Sequence, residues 1–222
     1  MKYFGSGQSL LGKLTRACRA PGLGLAIAAA SSLVPAQTVT FGPATFSKSV
    51  DVADTTLYLN GAGIRYRFGF KVYAAGLYLQ NKATSPEAAL SASGPKRVQL
   101  VMLREVDDNE LGKLFIRGIE SNTPKSDDLS EIVPGTGILG DAFAVVFAGG
   151  KKLGVGESLG LDFVPGIGTV LSHNGKRVGE LIKEPQFFVA LMRIWLGQNP
   201  ADRQLKDAML GQAAFVPAKS SM

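Results

Sequence analysis

The sequence predicts one α+β domain in which strands and helices share a core. Strand-like alternation fills residues 45–79, a group of short strands separated by turn sequences follows at residues 158–182, and amphipathic helices with recognisable first residues lie at residues 107–119 and from Pro185 onward. No repeat and no internal linker divides this region. The strands and helices therefore belong to one unit.

The first strands are predicted from turn residues and alternation. Residues 55–59 end at Asn60-Gly61, a strong turn signal, and Gly61-Ala62-Gly63 lacks the continuation of a dinucleotide-binding motif, so we interpret it as a turn as well. The aromatic and β-branched run at residues 64–79 predicts a long strand. If that strand is unbroken, one face carries Arg65, Arg67, Lys71 and Tyr73. A bulge or tight turn at Gly69 would cancel this inference.

The first long helix is predicted after a further strand at residues 97–106. Asp107 precedes Glu110 at the spacing of a capping box. Apolar or small residues then recur at helical intervals, at Leu111, Leu114, Phe115, Gly118 and Ile119. This stripe predicts a helix that packs against the core.

The second half alternates between helix and strand. A helix is expected at residues 137–147, and Pro165-Gly166 and Asn174-Gly175 divide the next region into strands at residues 158–164, 168–172 and 177–182. Pro185 opens a helix with one apolar stripe, formed by Phe188, Leu191, Met192, Trp195 and Leu196. Asn199-Pro200 opens a last helix, which ends at Gly211.

Residues 1–36 are typical of a secretory signal peptide. Basic residues without any acid precede about a dozen apolar and small residues, and Val34-Pro35-Ala36 has the spacing that a signal peptidase accepts. A membrane span needs roughly 20 apolar residues, and we expect no span after residue 36. The sequence thus predicts cleavage after Ala36 and a secreted or periplasmic protein, with its domain at residues 37–211 and a flexible tail at residues 212–222.

Composition and residue inventory exclude several functions. The chain has 24 basic and 18 acidic residues, a net charge of +6. Four of the basic residues lie in the leader, so the mature net charge falls to +2, which argues against nucleic acid as a partner. The single cysteine, Cys18, also lies in the leader, and the single histidine, His173, lies in a predicted solvent-exposed turn. We therefore expect no metal, no cofactor and no histidine-based catalytic triad.

The cationic residues of the long strand allow two interpretations. Arg65, Arg67 and Lys71 can form the solvent-facing side of an antiparallel sheet. Alternatively, one of the arginines points into a cleft between the sheet and the helices, where its fixed donors could hold a carboxylate, phenolate or enolate. An apolar pocket with one such arginine would suit a small amphipathic molecule.

Five sequence blocks, in the expected order, resemble the bacterial chalcone-isomerase-like group. They span about residues 45–211, nearly the whole predicted mature chain, at residues 59–65, 70–79, 161–169, 174–176 and 193–197. The resemblance implies a large antiparallel sheet packed under a layer of helices, an open-faced β-sandwich. That arrangement agrees with the order of the predicted elements.

The resemblance also implies where a ligand site would lie. Plant chalcone isomerases close a flavanone ring without a cofactor, by holding the reactive conformer and stabilising developing enolate charge. The family's arginine corresponds to Arg65, which is retained. The other polar positions correspond here to Tyr73, Leu111, Gly118 and Ile194, and these depart from the isomerase pattern. Each missing hydrogen-bond partner should cost roughly 1–3 kcal/mol of transition-state stabilisation. The resemblance therefore argues against flavonoid cyclisation as the function.

The fatty-acid-binding branch of the same fold pairs the strand arginine with a tyrosine that holds a carboxylate. Arg65 and Tyr73 resemble that pair, with Leu111 and Ile194 as further ligand-binding positions. We therefore predict an exported, non-catalytic protein that binds a small amphipathic anion such as a fatty acid. The alternatives are an intramolecular lyase with Arg65 as its catalytic residue, and a scaffold in which Arg65 only satisfies backbone carbonyl groups.

Overall fold

The structure is a computed structural model that describes residues 37–212, and this part of the chain contains nine strands and five α-helices. The predicted leader and all but the first residue of the predicted tail lie outside these residues. The strands are β1 (Thr38–Phe41), β2 (Ala44–Ser47), β3 (Ser49–Val52), β4 (Thr55–Arg67), β5 (Phe70–Leu79), β6 (Lys96–Met102), β7 (Ser158–Val164), β8 (Gly168–His173) and β9 (Lys176–Ile182). The α-helices are α1 (Pro86–Ser91), α2 (Asp108–Asn122), α3 (Val133–Val146), α4 (Pro185–Leu196) and α5 (Arg203–Met209), and short 3₁₀ turns lie at Leu129–Glu131 and Ala148–Gly150.

One sheet dominates the fold. Strands β3 to β9 pair with their sequence neighbours in an antiparallel, seven-stranded sheet, and β1 and β2 form a separate two-stranded sheet. Because each strand lies beside the next one along the chain, the large sheet is a continuous meander.

The large sheet buries both of its faces against different partners. On one face, β5 to β8 pack against α2, α3, α4 and α5 around a core that includes Leu77, Leu100 and Trp195. On the other face, the β1–β2 hairpin covers a smaller core that includes Phe46, Leu57 and Tyr78. The continuous burial of β5, from Val72 to Leu79, reflects this double coverage.

Strand β4 passes through Asn60-Gly61 without turning, so the turn predicted there is wrong. The Asn60 side chain is buried, donates to the carbonyl oxygens of Ala83 and Met209 at 2.8 Å each, and accepts from the Ala83 amide at 2.8 Å. A Cβ atom on Gly61 would collide with the carbonyl oxygen of Ala208. Asn60 and Gly61 therefore allow α5 to pack closely against β4, and they do not reverse the chain direction.

The run predicted as one strand at residues 64–79 is a hairpin. Phe68 and Gly69, with φ of +50° and +83°, form the turn between β4 and β5. Arg65 lies opposite Tyr73 and Tyr66 lies opposite Lys71, with an irregularity between the two pairs. The turn at Gly69 cancels the inference from an unbroken strand, and the pairing decides the faces instead. Opposite residues share a face, so Arg65 and Tyr73 lie on the same side, whereas Lys71 lies on the other side and its predicted place in the row is wrong.

The helices match their sequence signals with small shifts. Asp107 accepts a hydrogen bond from the Glu110 amide at 2.8 Å and so caps α2, as predicted. Helix α4 begins at Pro185 as predicted, whereas α5 is capped by Asp202 and begins later than Asn199-Pro200 suggested. The segment Val133–Gly150 is long and apolar enough to cross a membrane by length and composition alone. This corrects the expectation that no segment after residue 36 would meet that criterion. The α3 part of this segment contributes Leu139, Phe143 and neighbours to the core.

Candidate ligand site at Arg65

Arg65 is buried between the sheet and the helices. Its neighbour Ile64 packs into the core on the β1–β2 side, and strand alternation sends Arg65 to the opposite, helix-covered side. The residue is 6% exposed, and neither Nε nor Nη1 has a hydrogen-bond partner within residues 37–212. A buried cation with unused donors is costly for folding alone, so this arginine is the first candidate for binding an anion.

Tyr73 lies directly across from Arg65 on β5. The Arg65 Cζ atom is 5.5 Å from the centroid of the Tyr73 ring, in the range of a cation–π contact. The Tyr73 hydroxyl oxygen accepts a hydrogen bond from Trp195 Nε1 at 3.0 Å. In the described part of the chain its own proton has no acceptor, so the phenol retains one donor beside the guanidinium.

The surroundings of Tyr73 keep that proton in place. Burial raises the pKa of Tyr73 above 10.0, and this desolvation outweighs the opposing effects of the Arg65 charge and the Trp195 hydrogen bond. The charge of Asp202, which caps α5, acts in the same direction as burial. Tyr73 is therefore a neutral phenol, and a hydrogen-bond donor, at physiological pH.

The remaining predicted site positions provide only apolar surface. Leu111 on α2 and Ile194 on α4 belong to the same buried cluster as Tyr73, and their exposed fractions are 0% and 3%. At Gly118, an added Cβ atom would approach the Ile194 side chain to 2.9 Å, so α2 and α4 pack closely there. The structure thus brings Tyr73, Leu111 and Ile194 into one core and leaves Arg65 and Tyr73 as its polar pair.

An aromatic series connects this pair to the outer helices. Trp195 meets Phe115 edge-on with ring centroids 5.7 Å apart, and Phe115 meets Phe143 edge-on at 5.2 Å. The sequence placed Trp195 on the apolar stripe of its helix but did not assign its bond to Tyr73. A tryptophan at the centre of such a stripe needs an acceptor for its indole N–H, and that requirement was the available signal.

Five surface depressions lie away from Arg65. An open groove of about 500 Å³ runs between α2 and α3, where Gly112 and Gly140 leave space and Phe143 forms part of the lining. Four further depressions lie at other parts of the surface, and neither Arg65 nor Tyr73 lines any of these five. A bulky molecule could therefore reach Arg65 from one of these five depressions only if the side chains between them rearranged.

His173 is less exposed than its predicted place in a solvated turn suggested. Its Nε2 atom lies 2.9 Å from Glu157 Oε1, and the residue is only partly exposed. The Gly154 amide, followed by contacts with Asn174 and His173, lowers the pKa of Glu157. Within residues 37–212, no three metal-ligating side chains form a group that could hold an ion.

Comparison with known proteins places this geometry in a family. A family model described as chalcone isomerase-like matches residues 38–211, which confirms the resemblance and the fold class predicted from the motifs. A fatty-acid binding protein from Arabidopsis thaliana superposes with a TM-score of 0.57 at 16% identity, covering 78% of this chain and 96% of that chain. At this identity the superposition shows a shared fold. No curated protein matches the sequence.

Proposed function

Because this chain belongs to the chalcone isomerase-like family, we propose that it binds a small amphipathic anion, such as a fatty acid, with Arg65 and Tyr73 at the anionic group. The observation that carries this proposal is the buried Arg65 guanidinium, whose Nε and Nη1 have no hydrogen-bond partner among residues 37–212. A carboxylate accepts donors of this geometry in pairs, and such charge-assisted hydrogen bonds are stronger than neutral ones.

Tyr73 complements the guanidinium chemically. Its phenol is neutral, and its proton has no acceptor among residues 37–212, so it can donate to the same carboxylate without adding negative charge. The hydrogen bond from Trp195 fixes the ring position, and the short distance to Arg65 places both donors on one side of the sheet. A head group held by both would have its charge balanced inside an apolar core.

Apolar side chains supply the surroundings for an acyl chain. Leu111 and Ile194 lie in the same buried cluster as Tyr73, and the aromatic series from Trp195 to Phe143 leads to the lining of the α2–α3 groove. We infer that the acyl chain lies along these aromatic side chains, toward the α2–α3 groove. This position requires the side chains packed between α2 and α4 to move apart. The fatty-acid binding protein of the same fold supports this class of ligand.

The same positions disfavour ring closure as the function. Leu111, Gly118 and Ile194 carry no polar side-chain group to stabilise a developing enolate, so the stabilisation would have to come from Arg65 and Tyr73 without these positions. We therefore propose binding without catalysis. Purified protein incubated with a panel of chalcones and other phenolic enones should leave their cyclisation at the uncatalysed rate, and acceleration abolished by Arg65→Met would establish the lyase alternative instead.

Binding is tested with two ligands that share a twelve-carbon chain and differ in the head group, which is anionic in one and neutral in the other. Dodecanoate and dodecanol are titrated calorimetrically into the wild-type protein and into Arg65→Met, Tyr73→Phe and the exposed-residue control Arg177→Met. Arg65→Met should weaken dodecanoate binding by about 10- to 100-fold, the equivalent of losing a charge-assisted pair, and should change dodecanol binding little. Tyr73→Phe should have a smaller effect in the same direction. Equal losses for acid and alcohol, or no dodecanoate binding by the wild type, would refute the proposal.

We also propose export through the leader at residues 1–36, on the basis of its basic, apolar and small-residue segments. In a Gram-negative host, the protein released by osmotic shock should begin at Gln37 by intact mass. Full-length protein confined to the cytoplasm would overturn this proposal without affecting the ligand site.

A further inference from the structure

The tip of the β4–β5 hairpin carries aromatic side chains that the fold does not use. We call Tyr66, Phe68 and Phe70 the aromatic tip; their exposed fractions are 40%, 87% and 70%. Phe68 also has φ of +50°, a conformation that side chains other than those of Gly, Asn and Asp adopt at a cost. An Asn-Gly turn would close the same hairpin more favourably, so neither burial nor turn geometry accounts for phenylalanine here.

Basic side chains surround the aromatic tip. The Arg67 Cζ atom lies 5.3 Å from the Phe68 ring centroid, Arg67 Nη1 is 3.4 Å from Glu110 Oε1, and Arg104 pairs with the same carboxylate. Lys71 is exposed and pairs with no acid among the described residues. The Asp202 Oδ2 atom also accepts a hydrogen bond from the Tyr66 amide at 2.9 Å, so three cations and two carboxylates give this cluster a net charge of +1. Nearby, Glu105 is paired with Lys152 and Asp107 caps α2.

We propose that the aromatic tip docks the protein on a bilayer surface that contains anionic lipids. Aromatic rings favour the interface between head groups and acyl chains, and adjacent basic side chains are attracted to anionic head groups. A narrow, protruding turn can insert between lipids, whereas three side chains on a turn fall well short of the roughly 800 Å² per partner of a standard protein interface. Charge and shape together thus favour a lipid surface over a protein partner.

The position of the tip adds a consequence for the buried pair. Arg65 lies two residues before Arg67 at the end of β4, and Tyr73 lies three residues after Phe70 on β5. Docking by the tip would hold the two strands that carry this pair next to a source of amphipathic anions. The docking proposal itself depends only on the aromatic tip and the charged side chains around it, and it stands or falls independently of ligand binding at Arg65.

The test measures cosedimentation of the full chain with vesicles of phosphatidylethanolamine and phosphatidylglycerol, and with phosphatidylcholine vesicles. The double variant Phe68→Ser, Phe70→Ser and the charge variant Lys71→Glu are compared with Ile167→Ser. Ile167 is 53% exposed in the β7–β8 turn, at the opposite end of the sheet. Thermal unfolding by circular dichroism verifies that each variant is folded.

The double variant should lower the partition coefficient on anionic vesicles about 10-fold or more, since two exposed aromatic rings are lost. Lys71→Glu and high salt should lower it as well, and wild-type binding to phosphatidylcholine should be weaker than to the anionic vesicles. Ile167→Ser should remain within about twofold of the wild type. If the double variant binds vesicles as the wild type does, or if Ile167→Ser loses as much, the tip is not a membrane contact. Salt-insensitive binding, equal on both vesicle types, would overturn the role of the cations.

Discussion

The buried Arg65 side chain is unfavourable for folding but suited to binding an anion. A guanidinium that is 6% exposed, with two nitrogen atoms that have no partner in the described part of the chain, opposes folding, because desolvation of the charge is not fully compensated. Strand alternation alone could not predict that Arg65 and Tyr73 share a side of the sheet, because the chain turns at Gly69 between them and their pairing across β4 and β5 places them together. The hydrogen bond between Tyr73 and Trp195 was not predictable, because it joins residues 122 positions apart through the packing of α4 on the sheet.

Replacement of Arg65 by an apolar side chain of similar length should therefore stabilise the protein. We expect Arg65→Met to raise the free energy of unfolding by about 1–3 kcal/mol, as the unsatisfied donors and the buried charge are removed. Urea unfolding followed by circular dichroism measures this change, with the exposed Arg177→Met as control. A large loss of stability would instead support the scaffold alternative, in which Arg65 satisfies backbone carbonyl groups.

Helix α2 has one side on the open groove and another packed against α4. Gly112 lies on the groove side, where an added Cβ atom would meet nothing within 4 Å, whereas Gly118 faces Ile194 of α4. The sequence stripe predicted that Gly118 faces the core, but periodicity does not state how closely a neighbouring helix approaches. The same limit applies to β4 and β5, where the register irregularity near Arg65 and Tyr66 decided which face Lys71 occupies.

The two glycines of α2 should respond oppositely to the same substitution. Gly112→Ala should stabilise the protein by about 0.5–1 kcal/mol, because alanine reduces the conformational entropy lost in a helix. Gly118→Ala should destabilise it by about 1–3 kcal/mol, because the new methyl group forces α2 away from α4. Thermal unfolding of the two single variants and the wild type measures both changes in stability. Equal shifts in the same direction would show that α2 and α4 do not meet at Gly118.

At the scale of the whole molecule, the two cores on opposite faces of one sheet govern stability. The capped helices, the late three-stranded meander and the α+β class were predictable, since turn and cap residues act locally. The β1–β2 hairpin and its core were not, because they depend on long-range contacts such as the hydrogen bond from the Tyr78 hydroxyl to the Ser47 carbonyl at 3.0 Å.

That second core should make stability depend on pH in the alkaline range. Burial raises the pKa of Tyr78 from 10.0 to about 12, against a smaller opposing effect of Arg97. The neutral phenol is therefore favoured in the folded state, so its contribution is complete below about pH 10 and is lost as the pH rises toward 12, by up to about 2 kcal/mol.

Urea unfolding between neutral pH and pH 12 measures this loss. Tyr78→Phe should flatten the alkaline decline in part, with the buried Tyr73 retaining its own share, and the exposed Tyr58→Phe should leave the profile unchanged. An identical decline in the wild type and Tyr78→Phe would assign the alkaline transition to other groups.

The indole of Trp195 gives the protein an intrinsic optical reporter. The chain has one tryptophan, and its N–H bonds the phenol that lies against Arg65. Emission excited at the red edge of the indole band therefore arises from a single location, beside the unpaired guanidinium. Any molecule that settles against Arg65 and Tyr73 should shift or quench that emission, which allows occupancy to be followed in real time without a label.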